Sequence, residues 1–216
     1  MILKITSAED KFIEETYDES MKDLNNFYEI NWIRNTPTIV IAEDRKTINI
    51  MRQKETPDWN VGWINSGTGW ACVLDRNNLE KESSHKYKPE TYKATIKHEL
   101  SHLFYRILCG GINKPNWLWE GTAIYTSGQN KFKRQPSEFK EFLEFYEKSG
   151  SGVYYESGFF VQFLVEKFGK QRLLNLIKKS KDAKTEVEFN ELFAKEYGFK
   201  LNYNEINKNY KEPSRV

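Results

Sequence analysis

Only three histidines occur in this 216-residue chain, and two of them, His98 and His102, stand four apart in the segment HELSH. On a helix, residues four apart share one face, a turn from each other, so two neutral imidazoles at this spacing can converge on one metal ion. Glu99 lies about 100° further round the helix. It therefore points beside such an ion, where a base must be to take a proton from water polarised by the metal. A catalytic zinc site takes three protein ligands and keeps one position open. A third ligand is offered by Glu120 in WLWEGTAIYTSG, with 17 residues between it and His102. Gly110, Gly111 and Pro115 lie in that interval and can turn the chain. A second helix beginning near Trp117 could then return antiparallel and present Glu120 to the metal. These residues predict a His2Glu site for Zn2+ made of His98, His102 and Glu120, with Glu99 beside it. The plain alternative is two ordinary histidines on a helix face and a solvated glutamate.

The helix that must carry HELSH has its own signature. Ile96, Leu100, Leu103 and Ile107 are spaced four, three and four and form one apolar stripe. Pro89 can occupy its first turn, after a polar stretch from Arg76 to Lys88. Upstream, Ser7 is placed to cap a first helix in which Ile13, Tyr17, Leu24 and Tyr28 recur at helical spacing. Pro37 opens TIVIA, a β-branched run that reads as a buried strand. Asp44 can cap a short helix through DRKTINIMRQ. The alternation of TINIM also permits a strand, but the Asp cap and the Arg52-Gln53-Lys54 finish favour helix. Gly62, Gly67 and Gly69 punctuate VGWIN and GWACVLD, which predicts a hairpin. Beyond Gly110-Gly111 the segments FKEFLEFYEK, FFVQFLVEKFG, QRLLNLIKKS and EFNELFAKEYG carry apolar residues at helical spacing. The expected fold class is α+β in a single domain over 1–216. A small α/β lobe with a short sheet spans about 1–88, and the active-site helix and a helical lobe span 89–216.

Composition narrows the function classes. Hydrophobic residues at 38% and aromatics at 15% suit a globular core rather than a disordered chain. Lys+Arg at 33 nearly cancels Asp+Glu at 31, so the balance gives no argument for nucleic acid or an anionic membrane as partner. No apolar run approaches the length of a membrane span. The start, MILKITSAEDKF, lacks a basic region followed by an apolar run, and a cytoplasmic location is expected. Cys72 and Cys109 fit no CxxC pair and no disulfide framework, so both read as free buried thiols. His85, in SSHKYK, reads as surface, and Lys178 to Lys181 as the solvated end of a helix.

HELSH followed by WLWEG resembles the gluzincin metallopeptidases, the clan that includes thermolysin and the zinc aminopeptidases. WLWEGTA is similar to the aminopeptidase-type WLNEGFA, with Trp119 in place of Asn and an interval one residue shorter. The HExxHxxGxxH pattern of the metzincins is not met. YESGFF, from Tyr155 to Phe160, resembles the aminopeptidase motif YEKGF, whose tyrosine stabilises the tetrahedral intermediate. PDWNVGWINSGTGWACVLD resembles the sheet before HExxH in compact minigluzincins. The likeness covers roughly residues 37–170. It implies a zinc-dependent peptidase acting on a peptide or protein substrate. Glu99 is then the general base and Tyr155, or its neighbour Tyr154, the oxyanion donor. Gly69, Trp70 and Ala71 lie on the expected edge strand, about Trp70–Leu74, that would hold the substrate backbone. The GAMEN motif that grips a free amine has no counterpart, which favours an endopeptidase.

Two rivals remain from the same residues: a non-catalytic peptide- or protein-binding module of the same fold, and a gluzincin hydrolase acting on something other than peptide. The expected assembly is a monomer or weak homodimer. The tail after Gly198 is polar and reads as a frayed terminus. Its Tyr203, Ile206 and Tyr210 are spaced three and four apart and could dock one weakly apolar face. By resemblance to latent minigluzincins, the tail could instead occupy the cleft.

Overall fold

The structure is a computed structural model that describes residues 6–148, 150 and 152–211. Helix α1 spans Lys11–Tyr28 and is capped by Asp10, whose carboxylate accepts from the Ile13 N–H at 3.2 Å. The helix thus starts three residues later than a Ser7 cap would place it. An anionic oxygen at the positive end of the helix makes the stronger cap. Strand β1 is Thr38–Ala42, as TIVIA predicts. Asp44 caps helix α2, Arg45–Arg52, by accepting from Thr47 N–H at 2.7 Å, which settles TINIM as helix. Strands β2, Gly62–Asn65, and β3, Trp70–Leu74, form the predicted hairpin, antiparallel with Gly62 opposite Val73.

The sheet runs β1-β3-β2, with β1 parallel to β3. This corrects the edge-strand expectation. β3 is the middle strand, because β1 pairs with its outer side from Thr38↔Trp70 to Ala42↔Leu74. Ala71 lies between Ile39 and Ile64 and is fully buried. Gly69 stands in the turn with φ +72°, and Trp70 pairs with Thr38 and Asn65. No free edge of β3 is left for a substrate.

After the short helix α3, Leu79–Glu82, comes α4, Pro89–Leu108, with the proline in its first turn. It packs under the sheet, where Tyr92 donates its hydroxyl proton to the Leu74 carbonyl at 2.8 Å. α1 runs alongside it in parallel, since Glu19–Lys93, Asp23–Lys97 and Tyr28–Ser101 advance together along both helices. Ile96, Leu100 and Leu103 are buried as the stripe predicts, but Ile107 is 48% exposed. The last turn passes beyond the core there, and Phe104 packs inward instead, stacked on Tyr28.

α5 is Asn116–Ser127 and α6 is Val153–Phe168. They approach closely through glycines. A Cβ at Gly121 would stand 2.6 Å from the Ser157 carbonyl oxygen, and one at Gly158 would stand 2.3 Å from Ile124 Cγ2. Between them, Gln129–Phe132 forms a 3₁₀ turn, and FKEFLEFYEK forms another at Phe142–Glu144 rather than the predicted helix. The buried carboxylate of Glu156 accepts from the backbone N–H groups of Lys140, Glu141 and Phe142 and anchors this segment to α6. Phe139, Phe142 and Tyr146 enter an aromatic core with Trp117 and Phe160.

α7, Lys170–Ser180, and α8, Glu186–Tyr197, follow the predicted pattern, the latter with a Thr185–Glu188 capping box. The tail is not frayed as far as residue 211. α9, Tyr203–Lys211, buries Ile206 completely. The Tyr203 hydroxyl accepts from Leu143 N–H at 2.9 Å, and Asn207 brackets Phe139 by accepting from its N–H and donating to its carbonyl, each at 2.8 Å. Residues 212–216 of that expectation lie outside the described residues. Cys72 and Cys109 are buried and unpaired. Among the described residues no helix is long and apolar enough to cross a membrane.

Candidate metal centre

HELSH sits where α4 passes beneath the sheet and beside α5. His98, Glu99 and His102 are 6, 6 and 4% exposed. The buried Ser101 hydroxyl ties the elements together through Tyr28 on α1 at 2.7 Å and Thr126 on α5 at 2.8 Å. The tie sets α5 so that Glu120 faces α4. Glu120 Oε2 lies 3.2 Å from His98 Nε2 and 3.5 Å from His102 Nε2. Zinc–ligand distances of about 2.0–2.1 Å in a tetrahedron put ligand atoms roughly 3.3 Å apart. The three side chains offer one atom each within 4.8 Å of one another. Glu120 Oε2 is buried without a hydrogen-bond partner among the described residues. A buried carboxylate oxygen is costly unless paired or metal-bound, so the donor set fits a small cation held by two nitrogens and one oxygen. Burial alone would raise the Glu120 carboxyl, but the two imidazoles outweigh it and hold it well below its ordinary value.

Neither His98 nor His102 has a partner for its Nδ1 atom among the described residues. His102 is oriented by another contact. Trp119 stacks on it with ring centroids 4.3 Å apart and planes 8° from parallel. The sequence places Trp119 one residue before Glu120, but nothing in the pattern marks it as a stacking partner.

Glu99 lies outside the three-ligand group. Burial pushes its carboxyl up to about 7; His98 lowers it, and Glu120 raises it. The strand above it is β2, where a Cβ on Gly62 would meet Glu99 Oε1 at 2.5 Å. The sheet therefore touches the site at Gly62, on β2.

The two tyrosines left open by the sequence, Tyr154 and Tyr155, are placed differently. Tyr155 is 66% exposed. Tyr154 faces the site, with its ring 6.3 Å from the His98 ring. Burial holds its hydroxyl protonated well above the ordinary range, and Glu120 and Glu99 add to the effect. Successive helix positions differ by about 100°, so only one of two adjacent tyrosines can turn inward. Lys133 Nζ donates to the Tyr154 carbonyl at 2.9 Å, and Trp59 meets the Tyr154 ring edge-on at 6.1 Å. His85 is exposed as predicted, with Nε2 2.8 Å from the Trp59 carbonyl oxygen.

No family model, curated protein or solved structure matches the chain.

Proposed function

We propose that the chain is a zinc-dependent peptidase of the gluzincin type, most simply an endopeptidase. The observation that carries this reading is Glu120 Oε2 at 3.2 and 3.5 Å from the Nε2 atoms of the HELSH histidines. His98, His102 and Glu120 would hold the ion. Zinc, when bound, supplies Lewis acidity that lets water lose a proton near neutral pH.

The remaining work falls to the chain's own groups. A Glu99 carboxylate oxygen takes the proton from the attacking water and returns it to the leaving amine. A buried carboxyl beside the ligand group but outside it is placed for transfer in both directions. The Tyr154 hydroxyl, kept protonated, donates to the oxygen of the scissile carbonyl as negative charge develops there. The substrate backbone runs along the free edge of β2, since β3 is paired on both sides. In this reading the protein works in the cytoplasm as a monomer or weak homodimer.

The binding-module alternative draws on one observation: the ligand group is nearly buried, and the Trp59–Tyr154 contact lies beside it. One pair of measurements separates the readings. Metal content of the purified protein should approach one zinc per chain, and alanine at His98, His102 or Glu120 should weaken zinc binding. A chelator should abolish cleavage of casein, and zinc should restore it. Tight zinc binding with no turnover of casein or a peptide library would favour the module.

A further inference from the structure

We propose that Gly62 is a positioning residue for Glu99. The absence of a Cβ on β2 gives the catalytic carboxylate the space it occupies. The activity part of this inference rests on the peptidase reading above.

Glycine inside a strand needs a reason, because it carries no packing side chain and loses more chain entropy than other residues on folding. Backbone conformation does not provide one here. Gly62 lies outside the left-handed region that Gly69 adopts, so an L side chain is allowed on conformational grounds. Space does provide one. A Cβ at Gly62 would lie 2.5 Å from Glu99 Oε1 and 2.9 Å from both Cδ and Cγ.

The strand cannot back away to relieve that overlap. Its hydrogen bond from Leu74 N–H to the Val61 carbonyl, at 2.9 Å, fixes it to β3. The segment entering it is held by Arg45. That guanidinium donates to the Asn60 carbonyl at 2.6 Å, to the Asp58 carbonyl at 2.9 Å and to the Glu82 carbonyl at 3.0 Å. On the other side, α4 is fixed by the Tyr92 and Ser101 bonds. The movable group is the end of the Glu99 side chain. A methyl on Gly62 therefore moves the carboxylate rather than the strand or the helix. The three atoms nearest that methyl position all belong to Glu99.

The test is Gly62→Ala, made alone and in a Glu99→Ala background. In the zinc-loaded single variant, zinc affinity should be unchanged and kcat should fall about a hundredfold, the scale of a 1 Å misplacement, with little change in KM. In metal-free protein, Gly62→Ala should lower the melting temperature by about 2–6 °C. In the Glu99→Ala background the same substitution should cost nothing. If the single variant does not fold, the double variant should fold. Equal thermal losses in both backgrounds would make the glycine a strand requirement and overturn the proposal. Full kcat in Gly62→Ala would overturn it too. A wild-type chain that cleaves nothing, yet shows the thermal coupling, would remove the peptidase reading while leaving Gly62 as the residue that makes room for Glu99.

Discussion

Trp119 lies face to face on His102 and edge-on to Tyr105, with centroids 4.3 and 5.2 Å away. Metal-binding histidines are commonly oriented by an acceptor on the far ring nitrogen. His102 Nδ1 has none among the described residues, so the indole plane takes over that orienting role. Trp119→Leu should lower zinc affinity about 10- to 100-fold, the cost of losing an outer-shell partner. Trp119→Phe, which keeps a flat ring, should recover part of it. Competition with a coloured chelator measures both.

Tyr154 and Tyr155 make opposite predictions. Tyr154→Phe should cut kcat about a hundredfold, the scale of one lost oxyanion donor, with zinc retained. Tyr155→Phe should stay within about twofold, as expected for an exposed side chain. Steady-state kinetics on one peptide decides between them.

The tail should act as part of the core. A chain ending at Gly198 loses the fully buried Ile206 and the bonds that Tyr203 and Asn207 make to residues 139–143. Burying one such aliphatic side chain contributes about 1.5–3 kcal/mol. The shortened chain should melt at least about 4 °C lower and cleave no faster than the full chain. Calorimetry and a rate on the same peptide test both parts. A stable, faster enzyme would restore the latency reading.

Cys72 should be inert. Burial pushes its thiol up to about 12, with the Glu99 charge raising it further. The thiolate is the reactive form. A folded-state value above the unfolded one adds stability that is complete below about 9 and lost as pH rises through about 12. Iodoacetamide at pH 8 should therefore leave native Cys72 unmodified and activity intact, whereas unfolding in guanidinium should expose it. Mass spectrometry of the alkylated protein gives the answer.

What the sequence made legible was local. The Asp44 cap, the glycine-punctuated hairpin, Pro89 at a helix start and the His98–His102 spacing each depend on residues within a few positions. Glu120 was reachable because two turn glycines and a proline separate two helices that then face each other. Long-range relationships were not legible. β3 became the middle strand because β1, some thirty residues earlier, took its second side. FKEFLEFYEK forms a 3₁₀ turn anchored through its backbone N–H groups to a carboxylate on α6. The choice between adjacent tyrosines follows from the rotation of α6, which Gly121 and Gly158 fix by close approach to α5. Docking of α9 turns on Asn207 reaching Phe139. Each depends on a partner that the local pattern does not name.

The proposed mechanism requires Glu99 to move the proton at a site held by His98, His102 and Glu120. The most direct measurement is the rate of casein cleavage by zinc-loaded Glu99→Gln against zinc-loaded wild type. The glutamine keeps the size of the side chain and cannot take the proton. One zinc per chain is expected in both proteins, with a rate at least about a hundredfold lower in the variant. Cleavage at the wild-type rate by Glu99→Gln would contradict the mechanism.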